Sequence, residues 1–130
     1  MKKVFVALLL VFACLFLLYQ RGEQVIQNSV SSADTLFIFS QTGCSHCQHA
    51  LEFIDGTVRK KYPHLKVEIL NVADGDNMTK LYVVAKQHKL NLKELGTPVL
   101  LINGKAMMGW SPDHEKKLLS IIRTIPTKKP

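Results

Sequence analysis

The sequence predicts an α/β fold, a central four-stranded mixed sheet flanked by helices in the order βαβαββα, preceded by an N-terminal hydrophobic helix. Three observations carry the prediction. Two short apolar runs, TLFIFS (35–40) and KVEILNV (66–72), are separated by a segment whose apolar residues recur at helical spacing. Two further runs, TPVLLING (97–104) and KAMMGW (105–110), meet at Asn103-Gly104, a pair suited to a tight hairpin turn because both residues tolerate positive φ. Helical patterns also follow the second and fourth runs. A strand–helix–strand unit joins parallel strands and a hairpin joins antiparallel ones, so the sheet is mixed.

Each element has a local reason. Thr35–Ser40 is continuously apolar and β-branched or aromatic, which suits a central strand covered on both faces. Ala50, Leu51, Ile54 and Val58 form the apolar stripe of the first helix of the βαβ unit, and Lys60, Lys61 and Pro63 close it. Asp74, Gly75 and Asp76 make a turn and a helix cap, followed by the stripe Leu81, Val84, Ala85 and His88, ending near Leu90. Pro112 and Asp113 open a last helix that points Leu118, Leu119 and Ile122 inward.

The chain has 130 residues and 47% hydrophobic composition, enough for one domain with one ordinary core even without its apolar start. Its net charge is +7; Lys2, Lys3 and Arg21 supply three of these, so the remainder is mildly basic at +4. No basic stripe interleaves with aromatics, so nothing supports nucleic-acid binding. Arg59, Lys60 and Lys61 suit a helix C-terminus, where cations complement the dipole, better than a docking patch.

The first twenty-two residues, MKKVFVALLLVFACLFLLYQRG, run from Val4 to Tyr19 without a charge. A cleaved signal peptide needs a small-x-small site, and Leu18-Tyr19-Gln20-Arg21 is a poor one. An uncleaved anchor is the preferred reading, although sixteen helical residues span only about 24 Å at about 1.5 Å each. Lys2 and Lys3 hold the N-terminus in the cytoplasm and send the remainder outward. Cys14 follows Ala13, as in a lipidated cysteine, but Phe12 and the apolar LFLLY do not fit that pattern. The expected organisation is 1–21 signal anchor or signal peptide, 22–33 linker or amphipathic lead-in, 34–125 folded domain, and 126–130 flexible tail. The expected location is the periplasmic side of the cell envelope, anchored in the inner membrane.

Outside the cytoplasm thiols tend to oxidise. Cys44 and Cys47 enclose only two residues, so a bond between them removes little chain entropy and has little structural use. The pair follows a strand and begins a helix, with Gly43 freeing the backbone for the turn. Helix N-termini stabilise thiolates, which makes Cys44 the candidate nucleophile and Cys47, one turn on, the resolving thiol. Ser45 and His46 lie between them, and His46 when protonated adds to that stabilisation.

Strand, CxxC and helix start, followed by GTPVLLINGK, resemble the thioredoxin superfamily over residues 34–124. The resemblance implies a thioredoxin-like fold and a thiol–disulfide oxidoreductase. It implies that Pro98 is a cis-proline beside the CxxC, and that the Thr97 backbone pairs with an extended substrate. It implies that no cofactor is needed. The partners it implies are cysteine-containing exported proteins and a membrane redox partner that resets the disulfide. The tryptophan that precedes the CxxC in thioredoxins is absent, with Thr42-Gly43 in its place, and Trp110 lies far away in sequence. Histidine before the second cysteine resembles the oxidising members, at about −120 to −180 mV against about −270 mV for thioredoxin. The expected role is therefore oxidant or isomerase, with a membrane-tethered reductant as alternative.

A copper-handling metallochaperone is the rival from another class. Cys44, His46, Cys47 and His49 crowd one helical turn, and His64, His88, His114 and Met107-Met108 are more distant donors. A closed zinc site lacks a second CxxC, and a c-type haem site needs histidine where Gln48 stands, so no metal site is assigned. The resemblance also implies a buried carboxylate that moves protons for Cys47; Glu52, Asp55 and Glu68 are the candidates, with a surface position the default for each.

Overall fold

The computed structural model describes residues 1–29 and 32–126, with backbone alone for 23–29. Helix α1 (Lys2–Ser29) precedes strand β1 (Thr35–Ser40). Helix α2 (Ser45–Phe53) passes into a π-helical turn (Ile54–Val58) and a short α3 (Arg59–Lys61). Then come β2 (Lys66–Asn71), α4 (Gly75–Gln87), a 3-10 turn (Leu92–Glu94), β3 (Val99–Ile102), β4 (Lys105–Met108) and α5 (Pro112–Arg123). The sheet order is β2-β1-β3-β4, so the most apolar strand sits inside it. β2 runs parallel to β1, with Thr35 opposite Lys66 and Ser40 opposite Asn71. β3 is antiparallel to β1, with Ile38 opposite Leu100, and β4 pairs back antiparallel to β3. This is the expected thioredoxin-like architecture.

The two faces of β1 explain its lack of alternation. Leu36 and Ile38 point into one core with Ile54, Val58, Leu100, Leu118, Ile121 and Ile122. Phe37 and Phe39 point into another with Leu81, Val84, Val99 and Leu101. All six residues of β1 are buried, and full burial of each large apolar side chain contributes roughly 1.5–3 kcal/mol. β2 has a covered neighbour on one side only; its Ile69 is 52% exposed. The hairpin turn has Asn103 at φ 47° and Gly104 at φ 69°, the geometry that the pair predicts. Asp74 caps α4 by accepting from the Asp76 N–H at 2.9 Å.

Some boundaries differ from expectation. The helix after Cys44 contains the π-turn, which keeps Ile54 and Val58 buried despite the altered winding. Val72 lies outside β2, and Thr97, Pro98, Gly109 and Trp110 lie outside β3 and β4. In α5 the inward residues are Leu118, Ile121 and Ile122, while Leu119 is only partly buried. α1 runs to Ser29, through most of the 22–33 segment; GEQVIQNS has no proline to stop it, and Glu23, Gln24 and Gln27 are good helix formers. Val30 and Ser31 of that segment, and residues 127–130 of the expected tail, lie outside the described residues. Within α1, Lys2–Gly22 is long and apolar enough to cross a membrane, with mean hydropathy 2.3 and no part of it buried; a signal sequence meets the same criteria. Its 21 residues span roughly 32 Å at about 1.5 Å each, with the charged Lys2, Lys3 and Arg21 at its two ends and the uncharged Val4–Tyr19 run between them.

Candidate functional site

The sheet delivers the cysteines to the end of its central strand. After Ser40, the chain turns through Gly43 at φ 79°, a left-handed conformation that glycine adopts without a Cβ clash. Cys44 is then the N-cap of α2, and its sulfur accepts from the Cys47 N–H at 3.2 Å. The α2 stripe that buries Ala50 and Ile54 also turns Cys47 inward, where it is 1% exposed. Cys44 stays part-exposed. The two form a disulfide with Cα atoms 5.2 Å apart.

β3 brings the second strand end to the same place. Thr97-Pro98 is a cis peptide, and Pro98 is buried. The Thr97 hydroxyl donates to Cys44 Sγ at 3.4 Å, and the Thr97 carbonyl oxygen lies 3.5 Å from that sulfur. In the reduced protein the hydroxyl favours a thiolate, whereas the carbonyl favours a protonated thiol that donates to it. The Gly109 N–H donates to the Pro98 carbonyl at 2.8 Å, so the end of β4 is tied to the same loop. Sequence-distant Cys44, Cys47, Thr97 and Pro98 are thus brought together.

Other candidates lie outside this contact set. Ser45 and His46 are exposed in the first turn of α2, and among the described residues the His46 ring has no hydrogen-bond or ion-pair partner. His49 is 3.7 Å from Glu52 on the helix surface. His114 Nδ1 is 2.7 Å from the Ser111 hydroxyl at the start of α5. Among the described residues, no group of three or more His, Cys, Asp or Glu is placed to hold a metal ion. Met107 is buried in the core, and Met108 packs partly buried on the other side of the sheet. Glu52, Asp55 and Glu68 are all exposed, and Asp55 pairs with Arg59 at 2.7 Å. Among the described residues the buried polar side chains are Thr35 and Ser40, and neither is a carboxylate. Trp110 packs against Phe53, with ring centroids 5.6 Å apart.

One feature of the site was not visible in the linear sequence. Beside the disulfide, a cleft of about 390 Å³ opens between α2 and the edge strand β2. Both cysteines line it, with Ser40, Gln41, Gln48, Leu51, Ile69 and Asn71 among its walls. The signal in the sequence was slight: Ser40 ends an apolar strand on a polar residue. That Asn71 stands opposite depends on the parallel register.

Chemically, the arrangement supports thiol–disulfide exchange. Cys44 carries an accessible sulfur with two donors aimed at it, and Cys47 is a shielded partner within bonding reach.

No protein-family model matches the chain, and no curated protein matches it. Among solved structures, the thioredoxin NaTrxh from Nicotiana alata is similar at 20% identity, covering 82% of this chain and 85% of that one, with a TM-score of 0.43. A likeness of this size carries no weight by itself. Strand order, strand directions and the placement of the Cys44–Cys47 disulfide beside Thr97-Pro98 give the chain a thioredoxin-like fold.

Proposed function

We propose that this chain is an exported, membrane-anchored thiol–disulfide oxidoreductase that works as an oxidant or isomerase. The observation that supports it most is the setting of Cys44: it caps α2 and accepts from both the Cys47 N–H and the Thr97 hydroxyl. Those donors stabilise a thiolate, which exists only in the reduced protein, and so make the disulfide easier to reduce. The absence of a buried carboxylate among the described residues acts in the same direction, since a nearby negative charge disfavours a thiolate.

In the oxidising direction, a substrate thiolate attacks Cys44 Sγ. The Cys44–Cys47 bond breaks, and Cys47 leaves as a thiolate that takes up a proton. A second substrate thiolate attacks the substrate sulfur of the mixed disulfide, releasing Cys44. The substrate dithiol loses two electrons and the protein disulfide gains them. Thr97 presents its backbone to an extended substrate during the exchange. A membrane redox partner then reoxidises the pair. On this reading residues 1–21 anchor the chain, 22–33 connect, 34–125 carry the chemistry on the periplasmic side, and 126–130 form a tail.

Cys47→Ser tests the reading. It should accumulate mixed disulfides with cysteine-containing proteins through Cys44, and Cys44→Ser should not. A wild-type chain that binds one copper ion and loses it in Cys47→Ser, with no mixed disulfide formed, would instead establish the metallochaperone.

A further inference from the structure

The helix that can span a bilayer does not end with the span. Lys2–Gly22 is long and apolar enough to cross, and α1 runs on through residues 23–29. α1 packs against α4, and every residue from Met1 to Gly22 is exposed, so the stretch after Gly22 makes that contact. At about 1.5 Å per residue, the contact lies no more than about 10 Å beyond the end of the span. We infer that the exposed flank of α4, with the 3-10 turn that follows it, is a membrane-docking surface that settles on anionic lipid headgroups. The inference rests on the proposed anchoring by residues 1–21, and not on the direction of electron flow.

Charge is the first reason. From Lys80 to Glu94 the chain carries four lysines, at 80, 86, 89 and 93, against one carboxylate, Glu94. Lys86, Lys89 and Lys93 are exposed. The acidic residues of α4, Asp74 and Asp76, stand at its other end, where Asp74 is the cap. Lys89, at φ 54°, turns the chain out of α4, and the 3-10 turn Leu92–Glu94 comes back against the helix. Apolar exposure is the second. Among the described residues outside α1, three large apolar side chains are left exposed: Ile69, Tyr82 and Leu92. Ile69 lines the cleft beside the disulfide. Tyr82 and Leu92 stand among the lysines. Tyr82 lies one turn before Lys86, while Leu81, Val84 and Ala85 take the core side of α4. Lysines interleaved with a tyrosine and a leucine suit a bilayer interface: the ammonium groups meet phosphates, and the ring and the leucine enter the headgroup layer.

Proximity decides the occupant. Exposed charges act over about 8 Å at physiological salt, and α1 holds α4 at a comparable distance from the headgroups. The anchor also keeps the lipid at a high effective concentration, so contacts too weak to bind a free domain suffice here. Anchor and flank together stop the domain from swinging about the exit of α1, and so give the disulfide one orientation to the bilayer.

The test places the full chain, one copy to a disc, in lipid nanodiscs of phosphatidylcholine alone or with phosphatidylglycerol added. A water-soluble amine-acetylating reagent is applied briefly, and the labelling of each lysine is read by mass spectrometry. Lys89 and Lys93 should label about threefold or more slowly in the anionic discs, because a headgroup contact covers the amine and holds it protonated. Lys116 and Lys117, exposed on α5 across the sheet, should label equally in both lipids. High salt should remove the protection. Tyr82→Ser combined with Leu92→Ser should weaken it, and both positions are exposed, so the core is untouched. Equal labelling of Lys89 and Lys93 in the two lipids would overturn the docking surface; a face used by a protein partner would give that result. The same slowing at Lys116 and Lys117, or protection that neither high salt nor the double substitution reduces, would overturn it too. A chain that does not stay with the discs would overturn anchoring and docking together, whereas its disulfide exchange, assayed in the same sample, would stand or fall separately.

Discussion

Thr97→Val removes the hydroxyl that reaches Cys44 and keeps a β-branched side chain of nearly the same shape. The oxidised sulfur is a weak acceptor, and a thiolate is a strong one, so the lost bond matters mainly in the reduced protein. Hydrogen bonds to charged groups contribute about 1.5–3 kcal/mol and neutral ones about 0.5–1.5. At 3.4 Å, to sulfur and only part-buried, this bond belongs in the lower of the two ranges, at about 1 kcal/mol. That loss raises the Cys44 thiol, because its thiolate has one donor fewer. For a two-electron couple it also corresponds to a reduction potential about 20 mV more negative. The sign follows from the state affected: destabilising the thiolate destabilises the reduced protein. The Thr97 carbonyl at 3.5 Å stays in place, because the backbone is unchanged. Thiolate absorbance in a Cys47→Ser background reports the titration, and glutathione buffers with acid quenching report the potential. An unchanged titration and potential, or a rise in potential, would show that the hydroxyl does not hold the thiolate.

Three further predictions concern the frame around the site. Gly43→Ala should destabilise by about 1–2 kcal/mol through backbone strain at φ 79°, since a Cβ there meets no neighbour; each kcal/mol lowers Tm by roughly 4–8 °C, and an unchanged melting curve would contradict the strain. Ile38→Ala, at a fully buried position of the central strand, should cost about 2–5 kcal/mol, read as a lower urea midpoint with an unaltered slope; a midpoint within error of wild type would contradict its place in the core. His46→Gln should lower the reduction potential by less than Thr97→Val does, and its effect should shrink in high salt, because the ring is exposed. A larger, salt-independent drop would place His46 in contact with the sulfur.

The order of elements was legible because local chemistry and tertiary packing agree. TLFIFS is apolar without alternation, and it occupies the strand that is covered on both faces. Asn103-Gly104 adopts the two positive φ angles its composition favours, and Asp74 caps the helix it precedes. The π-turn was not legible, since Ile54 and Val58 satisfy the ordinary helical stripe as well as the altered one. Nor was the continuation of α1 past Gly22: GEQVIQNS is polar, and polarity alone does not distinguish an exposed helix from a loop. At the site, the strand–helix junction identified the two cysteines. The contact of Thr97 with Cys44 spans fifty-three positions, so its distance and donors belong to the folded chain alone. The cleft is a product of register: Ser40 and Asn71 become neighbours only when β2 pairs with β1.

The most direct test of the account is the reduction potential of the Cys44–Cys47 pair, measured on the full chain equilibrated with glutathione at neutral pH. An oxidant or isomerase with a donor-stabilised Cys44 predicts a value above about −180 mV. A value near −270 mV would reverse the direction of electron flow and make the protein a reductant. A value below about −300 mV would be that of a structural disulfide, and would contradict the claim that this pair exchanges at all.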